Sequence, residues 1–271
     1  MRQPGRLVLL GHPVEHSLSP RFQNAALVAA GLPVRYEALD VDPAAFDDVV
    51  ASLRVDGAAG NVTVPFKERM HDACDVLTPL AARVGAVNVF WINDDGDLVG
   101  DNTDVAGFDA SVVGLLGDRP RDMTVGVLGA GGAAAAVLAA VEMWHGCYAH
   151  VYNRTPERAR ILCERFGTVA QPVDDIGVIA GAQLVVNATS VGLRDGAYPV
   201  NPTLIAPGSA VVDLVYRPGE TAWVRAVRGR GHRACDGLSM LLEQGAVAFE
   251  RWFGISPDRS IMFGSIGSPS S

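Results

Sequence analysis

Short apolar runs alternate with longer stretches of helical periodicity in the first hundred residues. Residues 7–10 predict a buried strand, and residues 34–39 and 60–64 predict two further strands. Residues 20–30, 43–53 and 70–82 predict helices that lie between or after these strands. Strand, helix and strand repeated in this order predict a largely parallel sheet with helices on its faces. Residues 85–92 then predict a strand that leads into a hairpin turn over residues 93–96.

The same alternation continues in the second half of the chain. Residues 123–128 form a short apolar run, a glycine turn follows, and an alanine-rich helix extends to Trp144. Further strands are predicted at residues 147–152, 184–190 and 211–216, and a helix begins at Leu238. Residues 264–271 are rich in glycine and serine and predict a disordered tail.

The glycine turn has the pattern of a dinucleotide-binding site. Glycine in such a turn lets the chain reverse, lets the backbone approach a pyrophosphate, and lets the helix pack on the strand. The first N–H groups of the helix then face an anion. The fingerprint is incomplete, because Ala134 stands at its last position, although alanine is allowed there. The predicted pyrophosphate contacts are Gly129, Ala130, Gly131, Gly132 and Ala133.

The end of the next strand predicts which dinucleotide is bound. NAD enzymes carry an acidic residue here that accepts from the ribose 2′-hydroxyl. This chain instead has Asn153, Arg154 and Thr155, with Arg158 one helical turn later. Arginine grips a phosphate with two parallel hydrogen bonds, so NADP is favoured over NAD. The alternative is that both arginines belong to a solvated helix start.

Composition narrows the functional classes. A chain of 271 residues is at the size where one core divides into two, so two domains are expected. The net charge of −8 and a pI near 5.2 argue against nucleic acid or an anionic membrane as the main partner. The first residues resemble a buried strand more than a signal peptide, and no run is long enough to span a bilayer, so a cytoplasmic protein is expected. The four cysteines lack metal-ligand spacing, which predicts free thiols and no metal site.

Polar residues at the ends of the first strands are candidates for substrate chemistry. Asn61, Thr63 and Lys67 follow the third strand, at the sheet edge where open α/β folds bind ligands. Lys67 is either a solvated side chain or a group that exchanges a proton with a reacting hydroxyl. Asp101 and Asp104 stand before a helix, so one is expected to cap it, and the other would complete an acid/base pair with Lys67.

Ser17 and Ser19 precede a helix whose first turn contains Pro20. Two interpretations are open. Ser19 caps the helix only, or both hydroxyls grip a small polyol or carboxylate.

Nine sequence strings, in order, resemble the shikimate dehydrogenase family, with quinate dehydrogenases as near neighbours. They are GHPVEHSLSP, NVTVPFKE, GAVN, GDNTD, GAGGAA, NRTPERA, NATSVG, DLVY and GLSMLLEQGAVAF. The resemblance extends from Leu9 to about Trp252. It implies an α/β protein of two domains with the active site in the cleft between them. Residues 1–104 with 238–271 would form a mostly parallel substrate-binding domain, and residues 105–237 a Rossmann NADP-binding domain.

The resemblance also implies the reaction and the roles of single residues. NADPH would reduce 3-dehydroshikimate reversibly to shikimate, in aromatic amino acid biosynthesis, with Lys67 and Asp104 as the catalytic pair and no metal. Ser17 and Ser19 would bind the substrate carboxylate. The remaining substrate contacts would be Asn61, Thr63, Asn88, Tyr216 and Gln244. Thr189 and Gly237 would join the glycine turn and the Asn153–Arg158 segment in binding the cofactor.

Three positions depart from the family pattern. Alanines occupy residues 133–136, where an arginine is common after the glycine turn, Val105 follows the GDNTD string in place of glycine, and Gln23 replaces a histidine. They leave room for a quinate or aminoshikimate dehydrogenase on the same scaffold. A dinucleotide-binding regulator without turnover is the alternative from another class. A monomer or a homodimer is expected.

Overall fold

The computed structural model describes residues 4–217 and 219–267, which divide into two compact units. One unit contains the described residues up to Asp104 and those from Leu242 onward, and the other spans Val105–Leu241. No helix in the described ranges combines the length and the apolarity that a membrane crossing requires.

The first unit is built on a six-stranded sheet. Its strands are β1 (Leu7–Gly11), β2 (Tyr36–Asp40), β3 (Ala59–Val62), β4 (Val76–Leu77), β5 (Val89–Ile92) and β6 (Leu98–Asp101). The order is β2-β1-β3-β5-β6-β4, and every pairing is parallel except those of β5 with β3 and β6. The antiparallel strand follows from the predicted hairpin, since Asn93 and Asp97 close a turn between β5 and β6. The prediction of a largely parallel sheet is confirmed.

Helices α1 (Ser19–Ala29), α2 (Phe46–Val55), α3 (Lys67–Ala73), α4 (Pro79–Val84) and α11 (Arg259–Gly267) belong to this unit, and most of α10 (Leu238–Phe253) does. One face of α2 packs into the core through Phe46, Val50 and Leu53, as the apolar spacing predicts. Phe46 also stacks on Phe66, with ring centroids 4.8 Å apart. This packing fixes the segment immediately before Lys67.

The second unit is a Rossmann fold. Its strands are β7 (Thr124–Leu128), β8 (Tyr148–Tyr152), β9 (Ala170–Pro172), β10 (Leu184–Asn187), β11 (Ala210–Asp213) and β12 (Ala234–Cys235). All pairings are parallel, in the order β12-β11-β10-β7-β8-β9. That order is the doubly wound arrangement of dinucleotide-binding folds, whose ligands lie at the carboxyl ends of the strands. Its helices are α5 (Asp104–Leu116), α6 (Gly132–Met143), α7 (Pro156–Arg165), α8 (Ile176–Ala180) and α9 (Ala222–Arg228).

The prediction of one helix over residues 70–82 is wrong. The chain instead forms α3, the edge strand β4 and α4. Asp75 binds the segment of residues 75–77 to the edge of the sheet. Its N–H donates to Leu98 O at 2.9 Å, and its carboxylate accepts from the Leu98 N–H at 2.8 Å. Thr78 then caps α4 by accepting from the Ala81 N–H, with Pro79 at the first helical position.

The predicted disorder of the tail is wrong for residues 264–267, and residues 268–271 lie outside the described ranges. Helix α11 continues to Gly267 and packs on α1. Met262 on α11 is buried, and the Arg21 guanidinium donates to Ser265 O at 2.7 Å. An apolar anchor and a bonded carbonyl therefore hold a segment whose composition suggests disorder.

Candidate active site

Lys67 is positioned by a tight turn at the carboxyl end of β3. The Phe66 N–H donates to Thr63 O at 2.9 Å, and the peptide bond between Val64 and Pro65 is cis. Lys67 is the first residue of α3, and its carbonyl accepts from the Val87 N–H at 2.9 Å. The backbone on both sides of the ammonium group is therefore held by hydrogen bonds.

The two predicted catalytic side chains meet in the first unit. Lys67 Nζ lies 2.5 Å from Asp104 Oδ2, although 37 positions separate them in the sequence. The Asp104 side chain is 7% exposed and that of Lys67 is 19% exposed. A charge-assisted hydrogen bond in such limited contact with water is stronger than a surface ion pair. The interpretation of Lys67 as a fully solvated side chain is wrong.

Asn88 is the centre of the hydrogen bonds around this pair. Its side-chain nitrogen lies 2.8 Å from Asp104 Oδ1, 3.1 Å from Thr103 Oγ1 and 3.2 Å from Gln244 Oε1. Its oxygen accepts from the Thr103 N–H at 2.7 Å. Asn88 and Gln244 are both buried. The structure thus brings four predicted site residues together: Lys67, Asp104, Asn88 and Gln244.

Asn61 is bound mainly to the protein itself. Its side-chain oxygen accepts from the Tyr36 hydroxyl at 2.8 Å, and its nitrogen donates to Asn88 O at 3.1 Å. Burial raises the pKa of Tyr36 well above its ordinary value, so this hydroxyl remains a donor. Among the residues that the structure describes, the second side-chain N–H of Asn61 has no acceptor, so it is left for a ligand. Sequence reasoning missed Tyr36, because its partner is 25 residues away and nothing local signals the contact.

Ser17 and Thr63 lie on two neighbouring loops, and Ser19 is the first residue of α1, directly after the first of these loops. The loops meet where the His12 N–H donates to Val64 O at 3.0 Å, beyond the ends of β1 and β3. Ser17 Oγ accepts from the Ser19 N–H at 3.2 Å. The interpretation of Ser19 as only a cap is wrong, because Leu18 holds the cap position of α1 and no side chain caps it. Within the described ranges, the hydroxyls of Ser19 and Thr63 make no hydrogen bond, which leaves both able to bind a ligand.

Asp101, the other candidate acid, is a structural anchor. Its buried carboxylate accepts from Thr78 Oγ1 at 2.5 Å, from the Asn102 N–H at 2.8 Å and from Arg251 Nε at 2.9 Å. Asn102 Oδ1 in turn accepts from the Asp104 N–H at 3.1 Å. Asp101 therefore ties the loop that carries Asp104 to α4 and α10.

The glycine turn of the second unit has the geometry that phosphate binding needs. Gly129 has φ +111°, and a Cβ at this position would lie 2.8 Å from Ala188 O. Helix α6 begins at Gly132, and no side chain of the described residues caps its start with a hydrogen bond. Such a helix start offers unbonded donors and a partial positive charge to an anion. Ala130, Gly131, Gly132 and Ala133 are all partly exposed, so this edge is accessible.

The predicted 2′-phosphate contacts lie on the loop after β8. Asn153 Nδ2 donates to Thr155 O at 2.9 Å and shapes this loop. Arg154 and Arg158 are exposed, and neither pairs with a carboxylate in the described part of the chain. Glu157, between them, pairs instead with Arg160 at 3.0 Å. Two unpaired guanidinium groups beside a strand end fit an anionic group such as a phosphate.

The alanine run at residues 133–136 is one of the three departures from the family pattern. Ala134, Ala135 and Ala136 are buried against the sheet, and only Ala133 is partly exposed. Residues 134–136 therefore offer no charged or polar side chain to a ligand.

Thr189, Tyr216 and Gly237 lie on segments that follow β10, β11 and β12. Thr189 Oγ1 donates to Asn187 Oδ1 at 2.6 Å. The Gly237 N–H donates to Val215 O at 3.0 Å, and a Cβ on Gly237 would lie 2.2 Å from Leu214 O. Tyr216 is half-buried beside this contact. The three residues thus lie at the carboxyl edge of the sheet, where a dinucleotide binds in this fold.

Lysine usage is a further signal, which sequence reasoning missed. Lys67 is the only lysine of the chain, against 21 arginines. A guanidinium group stays protonated in proteins, whereas an ammonium group can release and recover a proton. The single lysine thus lies beside Asp104, where proton transfer would require a lysine.

Among the described residues, no group of three or more histidine, cysteine, aspartate or glutamate side chains is arranged to hold a metal ion.

Two family models match the chain. The shikimate dehydrogenase substrate binding domain matches residues 9–90, and the shikimate 5′-dehydrogenase C-terminal domain matches residues 237–262. The shikimate dehydrogenase (NADP⁺) of Rubrobacter xylanophilus is 44% identical over 263 residues, which cover 94% of this chain and 92% of that protein.

Two solved structures have the same fold over nearly their whole length. Shikimate dehydrogenase from Aquifex aeolicus superposes with a TM-score of 0.91 at 36% identity, covering 97% of this chain and 98% of that one. Shikimate 5-dehydrogenase from Thermus thermophilus, in complex with NADP(H) and shikimate, superposes with a TM-score of 0.87 at 40% identity. That match covers 96% of this chain and 98% of the Thermus chain.

Proposed function

The chain belongs to the shikimate dehydrogenase family, and from this premise we propose that it reduces 3-dehydroshikimate reversibly to shikimate with NADPH. The observation that carries the proposal is the contact of 2.5 Å between Lys67 Nζ and Asp104 Oδ2. Aromatic amino acid biosynthesis is the metabolic context that this reaction would serve.

Lys67 would act on the oxygen of the reacting carbonyl. When bound, the nicotinamide of NADPH supplies the hydride. Negative charge develops on the carbonyl oxygen as the carbon is reduced, and the Lys67 ammonium group stabilises that charge and donates the proton. In the oxidation of shikimate, the neutral amine would remove the hydroxyl proton. Every other basic side chain of the lysine/arginine type in the sequence is an arginine, so the lysine at this position supports a role in proton transfer.

Asp104 would hold the amino group of Lys67 in its orientation. Its Oδ2 accepts from Lys67, and its Oδ1 accepts from Asn88 at 2.8 Å, so the carboxylate cannot rotate freely. Fixing a reacting group before substrate arrives lowers the entropic cost of the transition state. Asn88 and Gln244 would bind substrate hydroxyls from the same hydrogen-bonded cluster, while Ser17 and Ser19 would bind the carboxylate.

The second unit would hold NADP. The start of α6 would bind the pyrophosphate, because it carries uncapped N–H groups beside a glycine at positive φ. Arg154 and Arg158 would bind the 2′-phosphate, since both are exposed and unpaired with acids in the described residues. Thr189 and Gly237 would contact the other end of the dinucleotide, and Tyr216 remains a predicted substrate contact.

The test is a steady-state assay that crosses two substrates with two cofactors. Shikimate or quinate is oxidised with NADP or NAD, and the appearance of the reduced cofactor is followed. We expect kcat/KM to be highest for shikimate with NADP, because a site that bonds each substrate hydroxyl rejects analogues that alter one. A higher kcat/KM for quinate would assign the chain to the neighbouring activity, and binding of NADPH without any turnover would support the regulator.

The cytoplasmic location and a monomeric or homodimeric assembly remain predictions from the sequence.

A further inference from the structure

The carboxyl edge of the second sheet contains a buried polar cluster that touches no solvent. Asn187 ends β10, Asp213 ends β11, and the two face each other in the parallel register. Both are 0% exposed, and neighbouring Thr221 is 1% exposed. Burying an amide, a carboxylate and a hydroxyl is unfavourable unless all are hydrogen-bonded. The polar groups of the cluster are therefore expected to be hydrogen-bonded to one another or to the backbone.

All four hydrogen-bonding positions of the Asn187 side chain are used. The nitrogen donates to Asp213 Oδ1 at 2.8 Å and to Val191 O at 3.2 Å. The oxygen accepts from the Thr189 N–H at 3.1 Å and from Thr189 Oγ1 at 2.6 Å. A carboxylate can only accept, so Asp213 fixes the amide with its nitrogen inward and its oxygen towards Thr189.

This orientation determines what Thr189 can offer a ligand. Its hydroxyl proton is committed to Asn187, and its oxygen already accepts from the Val191 N–H at 3.1 Å. One lone pair remains, so Thr189 can act only as an acceptor towards a ligand N–H or O–H. If the Asn187 amide were reversed, its nitrogen would face the Thr189 hydroxyl, and the proton would be free to point elsewhere.

The cluster also sets the position of both loops at this edge. Ala188 O lies close to Gly129, where an added Cβ would approach it to 2.8 Å. Asp213 Oδ1 accepts from the Val215 N–H at 3.2 Å, and the Leu214 N–H donates to Asn187 O at 2.9 Å. The segment of residues 214–215 in turn packs against Gly237. A shift of this cluster would therefore move backbone that contacts two predicted cofactor-binding glycines.

We propose that Asn187 and Asp213 are positioning residues of the dinucleotide site, which orient the Thr189 hydroxyl as an acceptor and hold the loops after β10 and β11 against Gly129 and Gly237. The inference rests on the proposed function, because it assigns these loops to NADP. Neither side chain touches the ligand. Their effect on it passes through Thr189 and the backbone.

Thr221 provides a matched control within the same cluster. Its hydroxyl donates to Asp213 Oδ2 at 2.7 Å and caps α9 by accepting from the Val224 N–H. Thr221→Val removes both bonds and keeps the shape of the side chain. It should lower Tm, yet it leaves the bond from Asn187 to Asp213 Oδ1 intact. A merely structural role of the cluster predicts that Thr221→Val and Asp213→Ala behave alike.

The experiment measures Tm and the Kd of NADPH, by fluorescence, for the full chain and four variants. Asn187→Ala and Asp213→Ala should each raise Kd by about tenfold, because the Thr189 hydroxyl and the loops after β10 and β11 would lose hydrogen bonds that hold them. Asp213→Asn should stay within about twofold of wild type, because its oxygen still accepts from Asn187 and Val215. Thr221→Val should lower Tm without raising Kd beyond about twofold.

Normal NADPH binding by Asn187→Ala would overturn the inference, and so would an equal rise of Kd in Thr221→Val and Asp213→Ala. If Asp213→Ala does not fold, Asn187→Ala and Thr221→Val decide between the same outcomes. Failure of the wild type to bind NADPH would overturn the proposed function and this inference together. Normal wild-type binding with an unaffected Asn187→Ala would overturn the inference alone.

Discussion

Arg251 Nε donates to Asp101 Oδ2 at 2.9 Å and joins α10 to the end of β6. Asp101 is 1% exposed, so its carboxylate depends on protein hydrogen-bond donors in place of water. Three residues after Asp101, the chain reaches Asp104, and seven residues before Arg251, α10 carries Gln244. The ion pair thus connects the segments that bear two of the predicted site residues.

Replacing Arg251 by methionine should lower the free energy of unfolding by about 1–2 kcal/mol, since it removes one charged hydrogen bond from a buried carboxylate but leaves two others. The expected loss of unfolding free energy is small because the Arg251 side chain is 52% exposed. Urea unfolding of the wild type and the variant measures this loss. Arg6→Met is the control, because its pairs with Asp56 and Glu37 are long and exposed and should contribute little. Equal effects of the two substitutions would contradict the anchoring role of Asp101.

Replacing Arg154 by alanine should raise KM for NADP by roughly tenfold to a hundredfold, because a charge-assisted bond to the 2′-phosphate is lost. KM for NAD should hardly change, since NAD lacks that phosphate. Both constants come from initial rates with saturating shikimate. Arg160→Ala is the matched control, because this guanidinium already pairs with Glu157. A similar loss with both cofactors would show that Arg154 acts on the loop and not on the phosphate.

Asp213 should make the protein less stable as the pH rises. Burial raises the pKa of this carboxyl, against the hydrogen bonds from Thr221, Asn187 and Val215 that lower it. The folded state then binds the proton more tightly than the unfolded state, so this contribution to stability is present in acid and is lost as the pH rises from about 4 through the raised pKa. Relative to Asp213→Asn, the wild type should therefore gain unfolding free energy on acidification.

Asp75 provides a control, because its effect on stability should change with pH in the opposite direction to that of Asp213. Its hydrogen bond from Arg54 holds the pKa of the carboxyl below its ordinary value. Its contribution should therefore be present above the ordinary aspartate pKa and disappear as the pH falls through the lowered one. Relative to Asp75→Asn, the wild type should lose stability on acidification. Denaturant unfolding at several pH values measures both, and parallel trends for the two variants would contradict the assignment.

The native thiols should react slowly with iodoacetamide at pH 8. Burial raises the pKa of Cys74 to about 12 and that of Cys163 to about 11, and it raises the pKa of Cys147 and Cys235 as well. The thiolate is the reactive form, so little of it is present at this pH. Mass spectrometry should find native protein largely unlabelled and urea-unfolded protein with four labels. Rapid labelling of the folded protein at one cysteine would contradict this.

The sequence predicted those parts of the fold that local patterns encode. Apolar periodicity and turn residues predicted strands β7, β8, β10 and β11, the turn at Gly129 and the hairpin at Asn93. No residue range was predicted for the short strands β9 and β12. The meeting of Lys67 and Asp104 was predicted on family resemblance and the expected sheet edge, and the structure brings them to 2.5 Å.

What the sequence did not predict depends on distant partners. Asp75 turns a stretch with helical periodicity into an edge strand, because it bonds to Leu98 in the sheet. Tyr36 donates a hydrogen bond to Asn61, and Arg251 donates one to Asp101, in each case across a long stretch of sequence. No local sequence pattern predicts either contact. The scarcity of lysine is the exception, since a count alone would have singled out Lys67.

The proton-transfer role of Lys67 is tested most directly by Lys67→Arg, with kcat for shikimate oxidation and the Kd of NADPH measured on the same preparation. Arginine keeps the positive charge beside Asp104 but does not release its proton. The account predicts that kcat falls by about a hundredfold or more, while the Kd of NADPH stays within about twofold of wild type. A Lys67→Arg variant that keeps most of the wild-type kcat would contradict it.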